Sequence, residues 1–420
     1  MAIRNSKKPY VSASSCVSPT MIGILLTMAL IVSLLYNFVD LHRQTRIDFN
    51  QYYSMFTGRR CDESNTKRLF DSATFTDPNP NMPWPRIAWL MSFPNSGTSY
   101  TMKLVSRASN RSVASNYGAE CELDPITGTN RPVFHSSFNA AAGGRDWTHP
   151  TDTDQEGPFL VHFTDRQLPT HYILTKTHCG SRCTACSPTN YIETKESFMS
   201  MCSKGSKIYG KMNITTKVRI PQESKKVDIQ YNPYLAQRAI HLIRNPYDNI
   251  VSNFHLERNE KKKQQRHDWL SRYPNTMLGF KKYCQDLDSK HGIEESNIRF
   301  LPSSIVQLFP NIPCHAAFFV YIQWHNLAIQ VQQQLHIPTL IVYYEDYQQD
   351  WNHTIQRIFD FLHFNPWGEE EEQQQQTIIP PFVSGKRYIE YYTDKERNAT
   401  NQFIKRLADP TTLELLKRYL

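Results

Sequence analysis

Several shortages narrow the kinds of protein that this sequence can encode. Its 420 residues contain 15 glycines against 25 prolines, which excludes collagen-like and glycine-rich linker chains. The 47 Lys+Arg and 39 Asp+Glu leave a net charge of only +8, too small an excess for a dedicated nucleic-acid binder but suited to a groove for an anionic ligand. Internal repeats are absent. Because 40% of the residues are hydrophobic, the chain can still bury a substantial core, in one large domain with appendages or in two ordinary domains.

Long apolar runs are scarce too, and the run Met21–Val39 matters most because it contains 19 residues without a charge. As a helix it spans about 28 Å, close to the hydrocarbon core of a bilayer. Three basic residues and no acidic one precede it, whereas two of each follow it, a weak bias that points the N-terminus to the cytosol. A cleaved signal peptide is the alternative, but its apolar region would be too long and bulky residues occupy the cleavage position. We therefore predict a signal anchor, with the lipid bilayer as the partner of residues 21–39.

The chain after this run has features of a protein in an oxidising lumen. Eight cysteines follow the run, and an even number is consistent with disulfides. Four N-x-S/T sequons follow it as well, although chance would supply about two or three in a chain of this length. Cys16 precedes the run and is a candidate for palmitoylation. The sequons are Asn110, Asn213, Asn352 and Asn398, and the eight cysteines are Cys61, Cys121, Cys179, Cys183, Cys186, Cys202, Cys284 and Cys314.

The changes in composition divide the chain into four segments. Residues 1–20 form a cytosolic tail and residues 21–39 the transmembrane anchor. Residues 40–85 are polar, poor in aliphatic runs and rich in proline at their end, as expected of a lumenal stem. A globular pattern begins at Arg86, so residues 86–420 form the folded domain.

Short apolar runs alternate with helical patterns in the folded domain. The runs are near-continuous rather than alternating, which is typical of strands buried on both faces. We therefore predict an α/β fold with a central parallel sheet flanked by helices. The predicted strands are Arg86–Ser92, His171–Lys176, Arg238–Ile243 and Thr339–Tyr344, and the predicted helices are Thr98–Ser106, Tyr247–Arg258, Ala316–Leu335 and Ile355–Phe364.

The turn after the first predicted strand has the features of an anion-binding loop. Gly97 allows close approach of the backbone, and the free N–H groups of the following helix favour a phosphate. The second glycine and the lysine of a Walker A loop are missing, so an ATPase is disfavoured. The candidate ligand-binding residues are Asn95, Ser96, Gly97, Thr98 and Ser99.

Three more segments lie at the ends of later strands: Lys176-Thr177-His178, Arg244 to Ser252 (RNPYDNIVS) and Tyr344-Glu345-Asp346. Together with the loop FPNSGTSY, they resemble in kind, spacing and order the motifs of the sulfotransferases that use 3′-phosphoadenosine 5′-phosphosulfate (PAPS). The resemblance runs from about Arg86 to Asn401, with insertions. It implies a P-loop-like sulfotransferase fold.

The resemblance also implies a function and roles for the residues in these motifs. The loop 95–99 would bind the 5′-phosphosulfate of PAPS, and Arg244 and Ser252 the 3′-phosphate. His178 would act as the catalytic base and Lys176 would stabilise the leaving group, without a metal ion. A signal anchor together with this family suggests a single-pass type II Golgi protein with a lumenal catalytic domain. By analogy of compartment, its partner would be a glycan or glycoprotein acceptor and no nucleic acid.

The sequence departs from the family pattern at three places. Asn95 stands where the family often has Lys or Arg to contact the leaving phosphate, so Lys176, or less favourably Lys103, would carry that charge. Tyr100 replaces the usual Trp. A clear C-terminal Arg-Lys-Gly loop is missing, and the nearest basic pair, Lys386 and Arg387, is the candidate for the 3′-phosphate.

Other functions remain open at this point. His178 followed by Cys179, Cys183 and Cys186 provides residue types that bind zinc, although disulfides are favoured in an oxidising lumen. Asp152-Thr153-Asp154 matches the metal-binding motif of a lumenal glycosyltransferase. The missing cation at Asn95 also keeps a non-catalytic PAPS- or glycan-binding protein as an alternative.

Overall fold

The computed structural model describes residues 81, 84–124, 128–133, 157–162, 171–180, 193–209, 225–297, 301–364, 382 and 388–420. All of them belong to the structural unit Gly58–Leu420. The predicted anchor, the tail and most of the stem lie outside the described residues, so the domain boundaries stay predictions. Within the described ranges, no helix is both long and apolar enough to cross a membrane.

In the part of the chain that the structure describes, six strands form the central sheet, and a separate hairpin accompanies it. The strand order in the sheet is β3-β2-β4-β1-β7-β8, and β5 pairs with β6 in the hairpin. In chain order the strands are β1 (Arg86–Ser92), β2 (Val113–Ser115), β3 (Phe159–Leu160), β4 (Tyr172–Thr177), β5 (Lys204–Tyr209), β6 (Lys225–Gln230), β7 (Ala236–Ile243) and β8 (Thr339–Tyr343).

The helices connect and cover these strands. They are α1 (Thr98–Ser109), α2 (Lys195–Cys202), α3 (Pro246–Lys263), α4 (His267–Arg272), α5 (Met277–Asn297), α6 (Ser303–Val306), α7 (His315–Gln334), α8 (Asp346–Gln349), α9 (Trp351–Leu362), α10 (Asp394–Leu407) and α11 (Pro410–Leu416). Short 3₁₀ turns lie at Gly118–Glu120, Pro233–Leu235, Phe309–Asn311, Ile389–Tyr391 and Lys417–Tyr419.

The four predicted strands form the contiguous parallel core β4-β1-β7-β8 of this sheet. All residues of β1 and β7 are buried, which explains why these strands read as continuous apolar runs. The predicted parallel sheet is confirmed for these four strands, but the complete sheet is mixed, because β3 pairs antiparallel with β2 at one edge. These two strands have only two and three residues, too few to produce a recognisable sequence pattern.

Helices cover both faces of the sheet. Ala88 and Leu90 belong to an apolar core that includes residues of α1 and α9. Trp89 and Met91 alternate with them and point to the opposite face, where Gln332 of α7 donates a hydrogen bond to the Met91 sulfur. Because parallel strands run in one direction, the segments after β1, β4, β7 and β8 all emerge at the same edge.

Among the described residues, two disulfides link distant segments. Cys179–Cys202 joins the end of β4 to α2, and Cys284–Cys314 joins α5 to the start of α7. Cys121 is buried, and its thiol donates to the carbonyl oxygen of Phe159. The other cysteines that follow residue 39, Cys61, Cys183 and Cys186, lie outside the described residues. Because Cys179 is disulfide-bonded, the zinc set that begins with it loses one of its ligands.

Candidate active site

A cleft of about 860 Å³ lies at the edge where the parallel strands end. It brings together residues that are up to 295 positions apart in the chain, since Phe93 and Tyr388 both line it. Ser96 is fully buried outside the lining, and its hydroxyl accepts a hydrogen bond from Asn249. Lys386 and Arg387 lie outside the described residues. The predicted site residues that line the cleft are Asn95, Gly97, Thr98, Ser99, Lys176, His178, Arg244 and Ser252.

The predicted anion loop passes tightly between β1 and α1. Gly97 has a φ of 95°, in the region that favours glycine, and a Cβ added there would overlap the ring of Tyr344. The helix begins at Thr98, directly after this glycine, so its first N–H groups lie at the cleft. The Thr98 hydroxyl also hydrogen-bonds the hydroxyl of Ser92 at the end of β1. This geometry is compatible with phosphate binding.

Arg244 is a buried cation at the end of β7. Its side chain is packed over the Tyr344 ring at 4.6 Å, and Nη1 donates to the carbonyl oxygen of Asn95 at 2.7 Å. Its Nε is buried and has no hydrogen-bond partner among the described residues. An unsatisfied buried guanidinium N–H is costly, so this arginine has the properties expected of a ligand for an anion.

The segment after Tyr344 supports this arrangement rather than entering the cleft. Glu345 accepts hydrogen bonds from the N–H of Asn245 at 2.9 Å and from the Tyr419 hydroxyl at 2.6 Å. Asp346 pairs with Arg418 at 2.9 Å. The Tyr-Glu-Asp motif therefore fastens the end of β8 to the start of α3 and to the C-terminus.

His178 is held in one orientation and one tautomer. Its Nδ1 lies 2.8 Å from the carbonyl oxygen of Ser92. Because a carbonyl can only accept, Nδ1 carries the proton in the neutral ring and Nε2 is the basic nitrogen. The backbone N–H of His178 donates to the Tyr117 hydroxyl at 3.0 Å, and Trp324 Nε1 donates to the backbone carbonyl of His178 at 2.9 Å. The Tyr117 ring also stacks on the imidazole, with centroids 5.8 Å apart.

Lys176 shares the cleft with His178, and its ammonium group is paired. Its Nζ lies 2.6 Å from Glu120 Oε1 and donates to Ser99 Oγ at 3.2 Å. Ser115 donates to the other Glu120 oxygen at 2.9 Å. Lys103, the alternative source of charge, is exposed on α1 and is not among the residues that line the cleft.

Glu120 is one of the cleft residues that the sequence reasoning missed. It lies in the 3₁₀ turn Gly118–Glu120 after the short strand β2, and no motif surrounds it. Only the parallel pairing of β2 with β4, which places Ser115 beside Lys176, brings its carboxylate to the lysine. The sequence would have indicated Glu120 only if this three-residue strand had been recognised.

The comparisons with known proteins agree with this site in one part of the chain. The family model described as "Sulfotransferase domain" matches residues 234–406, a range that includes Arg244 and Ser252 but not the anion loop, Lys176 or His178. No curated protein matches the chain. A structure of the mouse sulfotransferase SULT7A1 complexed with PAP is similar at 14% identity, over 85% of this chain and 94% of that chain, with a TM-score of 0.34.

A structural likeness of that size carries no argument of its own, so the conclusion rests on the family match. That match confirms the predicted enzyme class and supports PAPS as the co-substrate. The part of the chain that matches a sulfotransferase domain is residues 234–406.

Proposed function

We propose that this protein transfers a sulfuryl group from PAPS to a hydroxyl or amine of a glycan acceptor in the secretory pathway. The observation that carries the proposal is the convergence on one cleft of an anion loop, the buried Arg244, the oriented imidazole of His178 and the ammonium group of Lys176. These are the groups that sulfuryl transfer requires: two anion sites, a base and a cation.

The two ends of the donor bind at different elements in this proposal. The loop 95–99 and the first N–H groups of α1 hold the 5′-phosphosulfate. Arg244 and the hydroxyl of Ser252 hold the 3′-phosphate, with the otherwise unpartnered Arg244 Nε as one of its donors. The unsatisfied donor supports this assignment, because an anion would complete its hydrogen bonding.

The acceptor side of the reaction depends on His178. As the acceptor oxygen forms its bond to sulfur, its proton passes to His178 Nε2, and the bond from sulfur to the 5′-phosphate oxygen breaks. The electron pair of that bond stays on the phosphate, where negative charge increases. Lys176 lies in the same cleft and stabilises this charge, a contribution that preorganised donors commonly make in enzymes.

We propose a Golgi location with the domain in the lumen, anchored by residues 21–39. The apolar run and its basic flank motivate this topology. Two disulfides and the exposure of Asn110, Asn352 and Asn398 support a lumenal environment. The lumenal location in turn favours a glycan over a small phenol or steroid as the acceptor.

Transfer of labelled sulfate tests the function. The full-length chain in detergent, given PAPS and a panel of acidic and neutral glycans with a metal chelator present, should label at least one glycan. Transfer of a sugar from a sugar nucleotide with Mn²⁺ instead would support the glycosyltransferase alternative, whose motif at Asp152 lies outside the described residues. Binding of PAPS without transfer to any acceptor would support the non-catalytic alternative.

Topology is tested separately in sealed vesicles. Removal of N-linked glycans should increase the gel mobility of the chain, and added protease should remove only the short N-terminal tail. Digestion of the whole chain, with no change in mobility after endoglycosidase, would overturn the lumenal orientation.

A further inference from the structure

Three asparagines connect the anion loop to α3 by a series of side-chain hydrogen bonds. Asn95 Nδ2 donates to Asn253 Oδ1, and Asn253 Nδ2 donates to Asn249 Oδ1 at 3.0 Å. Asn249 Nδ2 lies 2.9 Å from the Pro94 carbonyl oxygen and 3.1 Å from Ser96 Oγ. Asn249 and Asn253 are four residues apart and therefore share one face of the helix. We call Asn95, Asn249 and Asn253 the asparagine ladder.

The ladder changes the interpretation of Asn95. The sequence suggested that its amide replaces a lysine or arginine that would contact the leaving phosphate. In the structure its Nδ2 instead donates to Asn253. The backbone conformation of Asn95 is also unusual. Its φ is 64°, a value that few non-glycine residues adopt, although Asn adopts it more readily than most. A residue held in this way serves to shape the loop.

Hydrogen bonds to the carbonyl oxygens of the loop also reduce unfavourable negative charge at the proposed anion site. Carbonyl oxygens carry partial negative charge and repel a phosphate unless donors satisfy them. Two successive carbonyls of the loop accept hydrogen bonds from another segment of the chain: Pro94 from Asn249, and Asn95 from Arg244 at 2.7 Å. The donors come from the segment 244–253, which contains the proposed 3′-phosphate residues Arg244 and Ser252.

We propose that Asn253 and Asn249 are positioning residues that set the shape of the 5′-phosphate loop from the helix of the 3′-phosphate site, and so couple the two sites. This inference rests on the proposed function, because it assumes that the loop binds the 5′-phosphosulfate. The coupling passes through the hydrogen bonds of the ladder, and neither asparagine needs to contact the nucleotide's 3′-phosphate.

Nucleotide fragments separate this role from a direct contact. Asn253→Ala should weaken binding of adenosine 5′-monophosphate about five-fold, the loss expected for one side-chain hydrogen bond, and leave adenosine 3′-monophosphate within two-fold. Asn95→Ala should give a similar loss of affinity. The double variant Asn95→Ala/Asn253→Ala should lose little more affinity than either single variant, because each single variant already removes the hydrogen bond between the two side chains. Asn253→Gln, which keeps the amide, should recover part of the affinity. Calorimetry on the full chain in detergent measures each.

Asn275→Ala provides the matched control. Asn275 lies between α4 and α5, is exposed, and is not among the residues that line the cleft. Its replacement should leave both nucleotides unaffected. Equal weakening of the two monophosphates by Asn253→Ala, or independent and additive effects of Asn95→Ala and Asn253→Ala, would overturn the coupling.

Hydrogen exchange of the ligand-free chain provides a test that does not depend on nucleotide binding. Asn253→Ala should speed exchange of the amides of residues 95–99 several-fold while those of the distant helix α5 stay unchanged. Unchanged exchange in the loop would overturn the inference. If the wild-type chain bound no nucleotide at all, the proposed function would fail, and the exchange experiment would still decide whether the ladder shapes the loop.

Discussion

The imidazole of His178 is held at one nitrogen by the Ser92 carbonyl and along its face by Tyr117. The ring therefore presents Nε2 as its basic atom without having to reorient, and preorganisation of this kind is a common source of rate enhancement. Lys176 is two residues earlier, and Glu120 keeps its ammonium group in the cleft. Glu120 itself is a carboxylate close to the proposed reaction, so its role has to be distinguished from that of the base.

Substitution of the proposed base tests this division of roles. His178→Ala should lower kcat by about 10² to 10⁴-fold, the usual contribution of a general base, and change PAPS affinity only a few-fold. Lys176→Ala should lower kcat more than PAPS affinity, because its contact strengthens as charge develops on the leaving oxygen. Steady-state kinetics and PAPS titration measure both effects.

Glu120→Gln is the comparison for that experiment. An uncharged amide can still accept a hydrogen bond from Lys176, so the loss of rate should be much smaller than for His178→Ala. A loss from Glu120→Gln as large as that from His178→Ala, combined with substantial activity in the His178 variant, would assign the base to Glu120.

Arg244 and Ser252 should differ in their effect on nucleotide binding. Arg244→Ala removes a charged donor and should weaken PAPS binding by about ten-fold or more. Ser252→Ala removes only one hydroxyl and should weaken PAPS binding less. Ser252→Ala should not alter binding of adenosine 5′-monophosphate, which lacks the 3′-phosphate. Because Arg244 also donates to the Asn95 carbonyl, Arg244→Ala should weaken this nucleotide slightly. Equal losses for both nucleotides in the Arg244 variant would mean that the arginine supports the fold.

At the scale of elements, the end of β4 is fastened to α2. The disulfide Cys179–Cys202 begins at the residue after His178, and the Thr177 hydroxyl donates to the Cys202 carbonyl at 2.8 Å. Asn116 Nδ2 donates to the same carbonyl at 2.8 Å. The strand end that carries the proposed base is therefore tied to α2 covalently and by hydrogen bonds.

The two disulfides make a matched pair for testing this connection. They are separated by 23 and 30 residues in sequence, so each should contribute about 3 kcal/mol to the free energy of unfolding. Replacement of both cysteines by serine should therefore destabilise the two proteins similarly in urea titrations. The Cys179/Cys202 variant should also lose activity under conditions where it is folded, whereas the Cys284/Cys314 variant should keep it. Equal activity losses would indicate that only global stability matters.

At the scale of the whole molecule, buried ionisable groups make the free energy of unfolding depend on pH. Some of them favour folding at higher pH and others at lower pH. Burial lowers the pKa of His241 to about 3, and Gln332 offsets this slightly. His325, stacked on His241 and bonded to it at 2.8 Å, also has a lowered pKa, because of burial first and then the proximity of the His241 imidazole. Burial raises the pKa of Glu193 to about 7 and that of Asp409 to about 6.

The sign of each pH dependence follows from whether the folded or the unfolded state binds more protons. Between pH 6.5 and 3 the unfolded state protonates His241 and the folded state does not, so its contribution to stability is lost as the pH falls through that range. Glu193 behaves oppositely: between pH 4.5 and 7 the folded state holds the proton more tightly, so its contribution is lost as the pH rises.

Variants at these two positions should therefore change the pH profile in opposite directions. Between pH 5 and 7, Glu193→Gln should make the free energy of unfolding rise more steeply with pH, and His241→Gln should make it rise less steeply. Urea unfolding at pH 5, 6 and 7 measures the slopes. Parallel profiles for wild type and both variants would show that neither group is linked to folding.

The sequence alone determined the central strands, the helices beside them and the edge where the motifs meet. β1 was predicted at its observed bounds, Arg86–Ser92, and the α3 prediction was too short only at its ends. Such elements can be read from the chain because burial on both faces produces a local apolar run, and glycine and Asn-Pro mark its end locally. The same reasoning missed β2 and β3, since two or three residues carry no pattern.

Only the tertiary structure decided how the candidate site is assembled. Lys176 meets Glu120 across 56 residues of sequence, and Asn95 meets Asn253 across 158. The partner of Cys179 and the Ser92 carbonyl that sets the tautomer of His178 are likewise contributed by other segments. Hydrogen bonds and ion pairs of this kind depend on the distance between atoms after the chain has folded, so no local pattern of residue types specifies them.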